Sequence, residues 1–176
     1  MGNKQHRELK FVSVSWESAP VVLDPNTTHP RLILSEDLTC VRSSDKSQQL
    51  PDNPERFNTR PCVLGSEEFS SGKHSWDVEV GEASTWGLGV VTESIRRKGT
   101  VEMSPSAGKW YLEQHHGNYT AMTAPRTHLT VRRKPQKIRV QLDWDRGELS
   151  FSDPNDSSLL YTFKHRFTEK VFPVFR

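Results

Sequence analysis

The run Phe69-Ser-Ser-Gly-Lys-His-Ser-Trp-Asp-Val-Glu-Val-Gly-Glu-Ala-Ser-Thr-Trp-Gly-Leu-Gly-Val-Val91 decides the fold. Trp76, Val78 and Val80 alternate with Asp77 and Glu79, the period of two that a half-buried strand requires. Gly81 ends that run, Glu82-Ala-Ser-Thr85 reads as a loop, and a second strand sets Trp86, Leu88 and Val90 on one face. The two strands read as one hairpin presenting two tryptophans to a single core. Gly87 and Gly89 fall on the opposite face, where missing side chains would admit a close layer of backbone.

The same pattern recurs on both sides. Ile138, Val140, Leu142 and Trp144 alternate with Arg139, Gln141 and Asp143, and Asp145-Arg-Gly-Glu148 turns the chain back into Leu149 and Phe151. Leu32 and Leu34 pair by pattern with Leu38 and Cys40, Pro61–Gly65 reads as a strand, and Lys109–Thr120 reads as strand, polar tip and return. Asp24-Pro-Asn-Thr27 has turn chemistry, and Leu159–Phe163 and Val171–Phe175 are the last apolar runs. Phe11, Val12, Val14 and Trp16 form either an opening strand or a packed linker within residues 1–20. No stretch has helical period. The expectation is an all-β chain, an antiparallel β-sandwich of two sheets with few or no helices.

Composition narrows the function classes. The 176 residues suffice for one sizeable β domain, and five Trp with eight Phe supply large core pieces. The 24 basic and 22 acidic residues nearly balance, which argues against a dedicated DNA binder. Cys40 and Cys62 sit in apolar strand-like surroundings and read as reduced core thiols rather than a disulfide. No run approaches a membrane span and the N-terminus lacks a signal peptide's apolar core, so a cytoplasmic or nuclear protein is expected. No nucleophile elbow, dinucleotide fingerprint or metal-ligand spacing occurs, and no cofactor or metal is expected.

Several stretches in order resemble a PRY–SPRY domain, the C-terminal module of tripartite-motif ubiquitin ligases and butyrophilins. Leu23-Asp-Pro25 followed by Leu34-Ser-Glu-Asp37 resembles the PRY opening, and Trp76-Asp-Val-Glu-Val-Gly81 the tryptophan-centred SPRY motif. Leu142-Asp-Trp-Asp-Arg-Gly-Glu-Leu-Ser-Phe151 resembles the family's late hairpin, with Trp144 where the family more often has Tyr. Asn53-Pro-Glu-Arg-Phe57 and Lys109-Trp110 fit as well. The resemblance places PRY at about 21–65 and SPRY at about 66–176. The family's further strand after Phe-Pro-x-Phe has no counterpart before Arg176: either the sequence stops short of that strand or a strand edge is left open.

The resemblance implies a protein-recognition module that binds a target protein or peptide through variable loops, here Arg42–Pro54, Thr92–Gly99 and Glu113–Arg126. It further implies an attached RING-type ubiquitin ligase, an upstream coiled coil that makes the whole protein a homo-oligomer, and a role in innate immunity. Within those loops and their flank Arg56, Glu93, Glu113 and His115 are the candidate contacts, and Glu113 and His115 stand where relatives often carry aromatics. A charged, polar surface there implies a different ligand from those of such relatives, or one of basic character. Each residue also has a plainer reading: Arg56 as an internal structural group, the others as solvated loop residues. The alternative function is RNA binding through Arg96-Arg97-Lys98 and Arg132-Arg133-Lys134, which could grip phosphates.

Overall fold

The computed structural model describes residues 8–13, 21–81, 83–99 and 104–176. They form two antiparallel sheets packed face to face. The first sheet holds seven strands. In spatial order they are β12 (Leu159–Lys164), β11 (Glu148–Ser152), β10 (Lys137–Asp143), β5 (Lys73–Glu79), β1 (Glu8–Ser13), β3 (Cys40–Ser43) and β2 (Leu32–Leu34). The second holds six, namely β4 (Val63–Leu64), β13 (Val171–Phe175), β6 (Thr85–Thr92), β7 (Lys109–His115), β8 (Asn118–Ala121) and β9 (Thr127–Leu129). A short 3-10 turn at Pro105–Ala107 precedes β7.

One expectation is corrected at the centre. The strands β5 and β6 are not a hairpin but lie in opposite sheets, linked across the sandwich through Gly81, whose φ is +47°. Trp76 and Trp86, each 1% exposed, therefore enter one core from facing layers rather than side by side. Alternation fixes which face a strand buries, and two inward-facing runs satisfy it equally well in one sheet or in two. Leu23, Val41, Val78, Leu88, Leu112, Val140, Phe151 and Phe175 complete the same core.

The six-stranded sheet is buried on its second face too. Tyr111, Val91, Leu64, Val174 and Met122 point away from the facing sheet and are covered by Phe57, Cys62 and Ile95. The segment that supplies Phe57 and Cys62 crosses this outer face, with Phe57 N bonded to Thr27 O at 3.1 Å and Asn58 N to Arg97 O at 3.3 Å. The opening behind Gly87 is filled by a side chain, not by backbone: a Cβ at position 87 would overlap the phenol of Tyr111.

The predicted late hairpin is present, with Val140 opposite Phe151 and Leu142 opposite Leu149, and Gly147 turning at φ +69°. Asp24-Pro25-Asn26-Thr27 is a turn, Thr27 N donating to Asp24 O at 3.1 Å and Asn26 N to the Asp24 carboxylate at 3.0 Å. The predicted loop at Arg42 begins later, because Arg42 and Ser43 continue β3, and the connection after Met122 contains the short strand β9. Of the predicted opening strand, residues 8–13 are β1; Val14 and Trp16 lie outside the described residues. The two cysteines form no disulfide with each other, Cys62 being buried and Cys40 half-buried.

Candidate partner-binding surface

Strand β7 sends Lys109, Tyr111, Glu113 and His115 to the outer face of the six-stranded sheet, because side chains two apart share a face. Their burial changes along the strand: Lys109 is 4% exposed and Tyr111 is fully buried, whereas Glu113 is partly open and His115 exposed. The covering segment with Phe57 and Cys62 reaches the first pair and leaves the second pair open.

Glu113 stands directly across from Gly87, and Gly87 in turn exchanges backbone bonds with Arg176, its N–H donating at 3.3 Å and its carbonyl accepting at 2.9 Å. The three residues make one cross-strand row. Along it Arg176 Nη1 reaches Glu113 Oε1 at 3.6 Å. The two side chains are 25% and 20% exposed, so the pair is less screened than a surface bridge. His115 Nδ1 lies 3.4 Å from Thr85 Oγ1 on the neighbouring strand, and its ring meets His116 edge-on at 4.5 Å. Adjoining this row is a groove of about 260 Å³, lined by Leu32, Val41, Pro61 and Ala83 with Arg42, Thr85 and Arg176 among its polar members.

The other predicted positions lie elsewhere. Glu93 follows the far end of β6, six residues beyond Gly87, hence roughly 20 Å from Glu113 along the strand. It is exposed, and its N–H donates to Lys170 O at 3.1 Å. Arg56 is turned inward and 6% exposed. Its Nε donates to Pro51 O and Asn53 Oδ1 at 2.8 and 3.1 Å, its Nη1 to Pro25 O and Thr28 O at 3.1 and 2.7 Å. The guanidinium ties the Asn-Pro-Glu-Arg-Phe segment to the Asp24 turn and has no fork left for a partner carboxylate.

The two basic clusters also differ. Arg97 Nη1 donates to Glu55 O at 2.7 Å and its guanidinium lies over Phe57, 5.7 Å from the ring centroid. Lys98 Nζ bonds Asp52 Oδ1 at 2.7 Å and Asn53 O at 3.0 Å. Arg96 is exposed, as are Arg132, Arg133 and Lys134. Among the described residues no group of three or more His, Cys, Asp or Glu could hold a metal ion, and no helix is long and apolar enough to cross a membrane.

Arg42, Thr85 and Arg176 were not among the sequence candidates. Arg176 lies far from Glu113 in sequence and meets it only because β13 pairs with β6 and β6 with β7. No local pattern carries that information.

The family models for the SPRY-associated domain, PRY, and for the SPRY domain match residues 21–69 and 73–176. The chain belongs to the PRY–SPRY family. It is 47% identical to mouse (Mus musculus) erythroid membrane-associated protein over 98% of the chain and 32% of that protein. It is 42% identical to Nuclear factor 7, brain, of Xenopus laevis over 95% of the chain and 27% of that protein, and 41% identical to human (Homo sapiens) butyrophilin subfamily 1 member A1 over 96% and 32%. The chain thus spans about a third of the length of these relatives. The crystal structure of the TRIM65 PSpry domain shares its fold, with a TM-score of 0.77 over 88% of this chain and 83% of that one at 23% identity. PRY–SPRY domains of tripartite-motif and butyrophilin proteins are protein-interaction modules, binding rather than catalytic.

Proposed function

We propose that this PRY–SPRY domain selects a target protein through the surface formed by Glu113, His115, Thr85 and Arg176 and the groove beside them, and presents that target to a ubiquitin ligase carried by the same protein, in innate immunity. The observation that carries the reading is the uncovered half of β7. Glu113 and His115 stand on a rigid strand next to a groove with an apolar floor, and the layer that buries Lys109 and Tyr111 stops short of them. A rigid strand with apolar depth and polar edges suits a protein partner, which needs a desolvated anchor surrounded by orienting groups.

Pairing with Arg176 changes the expected ligand. Glu113 is charge-matched within the domain, and Arg42 and Arg176 both line the groove, so the surface no longer favours a purely basic partner. A segment with an apolar side chain for the groove and polar groups for its charged edge fits it better.

The test is capture of targets from lysate on the immobilised domain, with Glu113→Ala/His115→Ala/Arg176→Ala beside wild type and ribonuclease-treated samples alongside. A protein held by wild type, released by the triple variant and unaffected by ribonuclease supports the reading. Retention by a correctly folded triple variant overturns the site. Capture abolished by ribonuclease would move the function to Arg132, Arg133 and Lys134, and would show the steep salt dependence of phosphate contacts.

A further inference from the structure

A lysine is buried beneath the covering segment. Lys109 is 4% exposed, and Cys62 and Tyr111 are fully buried beside it. Lys109 Nζ lies 3.8 Å from Cys62 Sγ and 4.4 Å from the centroid of the Tyr111 ring. Tyr111 Oη, in the same cluster, has no hydrogen-bond partner among the described residues. A buried ammonium ordinarily takes carboxylate or carbonyl acceptors. Here the observed neighbours are a sulfur and an aromatic face. Burial lowers the Lys109 pKa from the ordinary lysine value, opposed by Cys62 and reinforced by the charges of Arg176 and Arg60. The shift raises the share of the unprotonated amine, which is the nucleophilic form.

We propose that Cys62 and Lys109 form a covalent redox pair, in which a hydroperoxide oxidises the thiol and the lysine nitrogen then closes a sulfur–nitrogen bond. In the first step Cys62 sulfur attacks a peroxide oxygen. The O–O bond breaks, sulfur loses two electrons to the peroxide, and with hydrogen peroxide the products are a sulfenic acid and water. In the second, the Lys109 Nζ lone pair forms the S–N bond as the S–O bond breaks, and the hydroxide leaves as water with a proton from the amine. The net product is a sulfenamide lacking two hydrogens. Two electrons from an external thiol restore the free thiol and amine. The four-carbon lysine stem allows Nζ to close the remaining distance, whereas a sulfenic acid in a pocket without a nucleophile would proceed to sulfinic acid.

The bond would join the segment ahead of β4 to the first residue of β7, locking the cover onto the outer face of the sheet. Access of peroxide to a fully buried sulfur depends on local opening, so the rate is expected to follow opening of that cover. This inference is independent of the identity of any partner.

The experiment uses the full chain carrying Cys40→Ser, so that Cys62 is the sole thiol. Protein treated with graded hydrogen peroxide is denatured, alkylated and weighed intact, then digested. The expected product is about 2 Da lighter, resists alkylation, yields a peptide containing Cys62 joined to one containing Lys109, and reverts with dithiothreitol. Lys109→Met and Lys109→Arg, the second retaining a buried cation, are each expected to abolish the lighter species. Accumulation of Cys62 sulfinic or sulfonic acid without a crosslink overturns the proposal. So does a thiol that remains fully alkylatable, or a lighter species that persists in a folded Lys109 variant.

Discussion

The phenol of Tyr111 occupies the space that Gly87 leaves by having no side chain, and a methyl group at position 87 would overlap it. The two residues lie on adjacent strands, offset along the ladder, with Gly87 opposite Glu113 and Gly89 opposite Tyr111. Gly87→Ala forces the ring out of a fully buried site and is expected to cost about 2 kcal/mol. Urea unfolding checks this: the midpoint falls with an unchanged slope. Tyr111→Phe keeps the ring and removes a buried hydroxyl with no hydrogen-bond partner, so its stability is expected to match or exceed wild type by up to about 1 kcal/mol.

Arg56 should behave as an internal strut. Arg56→Ala strips four acceptors of their donor and is expected to lose about 3 kcal/mol of stability. Arg56→Lys retains the charge but cannot reproduce the planar fork, and is expected to lose roughly 2 kcal/mol. Thermal unfolding of both variants measures the difference; a loss of binding with unchanged stability would contradict it.

His29 gives the fold a pH dependence of known sign. Burial lowers its pKa below the ordinary 6.5, countered by a hydrogen bond with the Asn58 backbone and assisted by the Arg31 charge. Its Nδ1 accepts from Arg31 N–H at 3.0 Å, a bond available only to the neutral ring. Because the folded pKa is depressed, the contribution is present above pH 6.5 and is lost as pH falls through the folded value. The fall in denaturation midpoint between neutral and mildly acidic pH is expected to be larger in wild type than in His29→Gln.

Gly147 turns the β10–β11 hairpin at φ +69°, and a Cβ there would meet the His165 carbonyl. Gly147→Ala combines a left-handed backbone with that overlap, for an expected loss of about 2 kcal/mol. His165 N donates to Gly147 O at 2.8 Å, so amide exchange at His165 is expected to accelerate in the variant.

The legible part of this chain was its local part. The hairpin Ile138–Phe151 declared both its strands and its turn, since alternation and a left-handed glycine are nearest-neighbour effects. Trp76 and Trp86 were correctly read as core, yet their strands were joined wrongly, because inward-facing alternation carries no record of which sheet a strand enters. The resemblance names Glu113 and His115, and both lie on β7 with their side chains at least partly open. Glu93 was grouped with them although β6 carries it to the opposite end of the sheet. Arg176 carries no local signal, because its place beside Glu113 depends on two strand pairings between segments far apart in sequence.

The strand β1 stands at the interior of the seven-stranded sheet, Lys10 opposite both Cys40 and Glu79, although it precedes the first residue matched to the family. A protein expressed from Val21 onward would retain every family signature while replacing one continuous ladder by two inner edges, at β3 and β5. Donors and acceptors that now face β1 would be free to recruit any extended chain. Where an expression boundary is drawn thus decides whether a laboratory handles a continuous sheet or a template for aggregation.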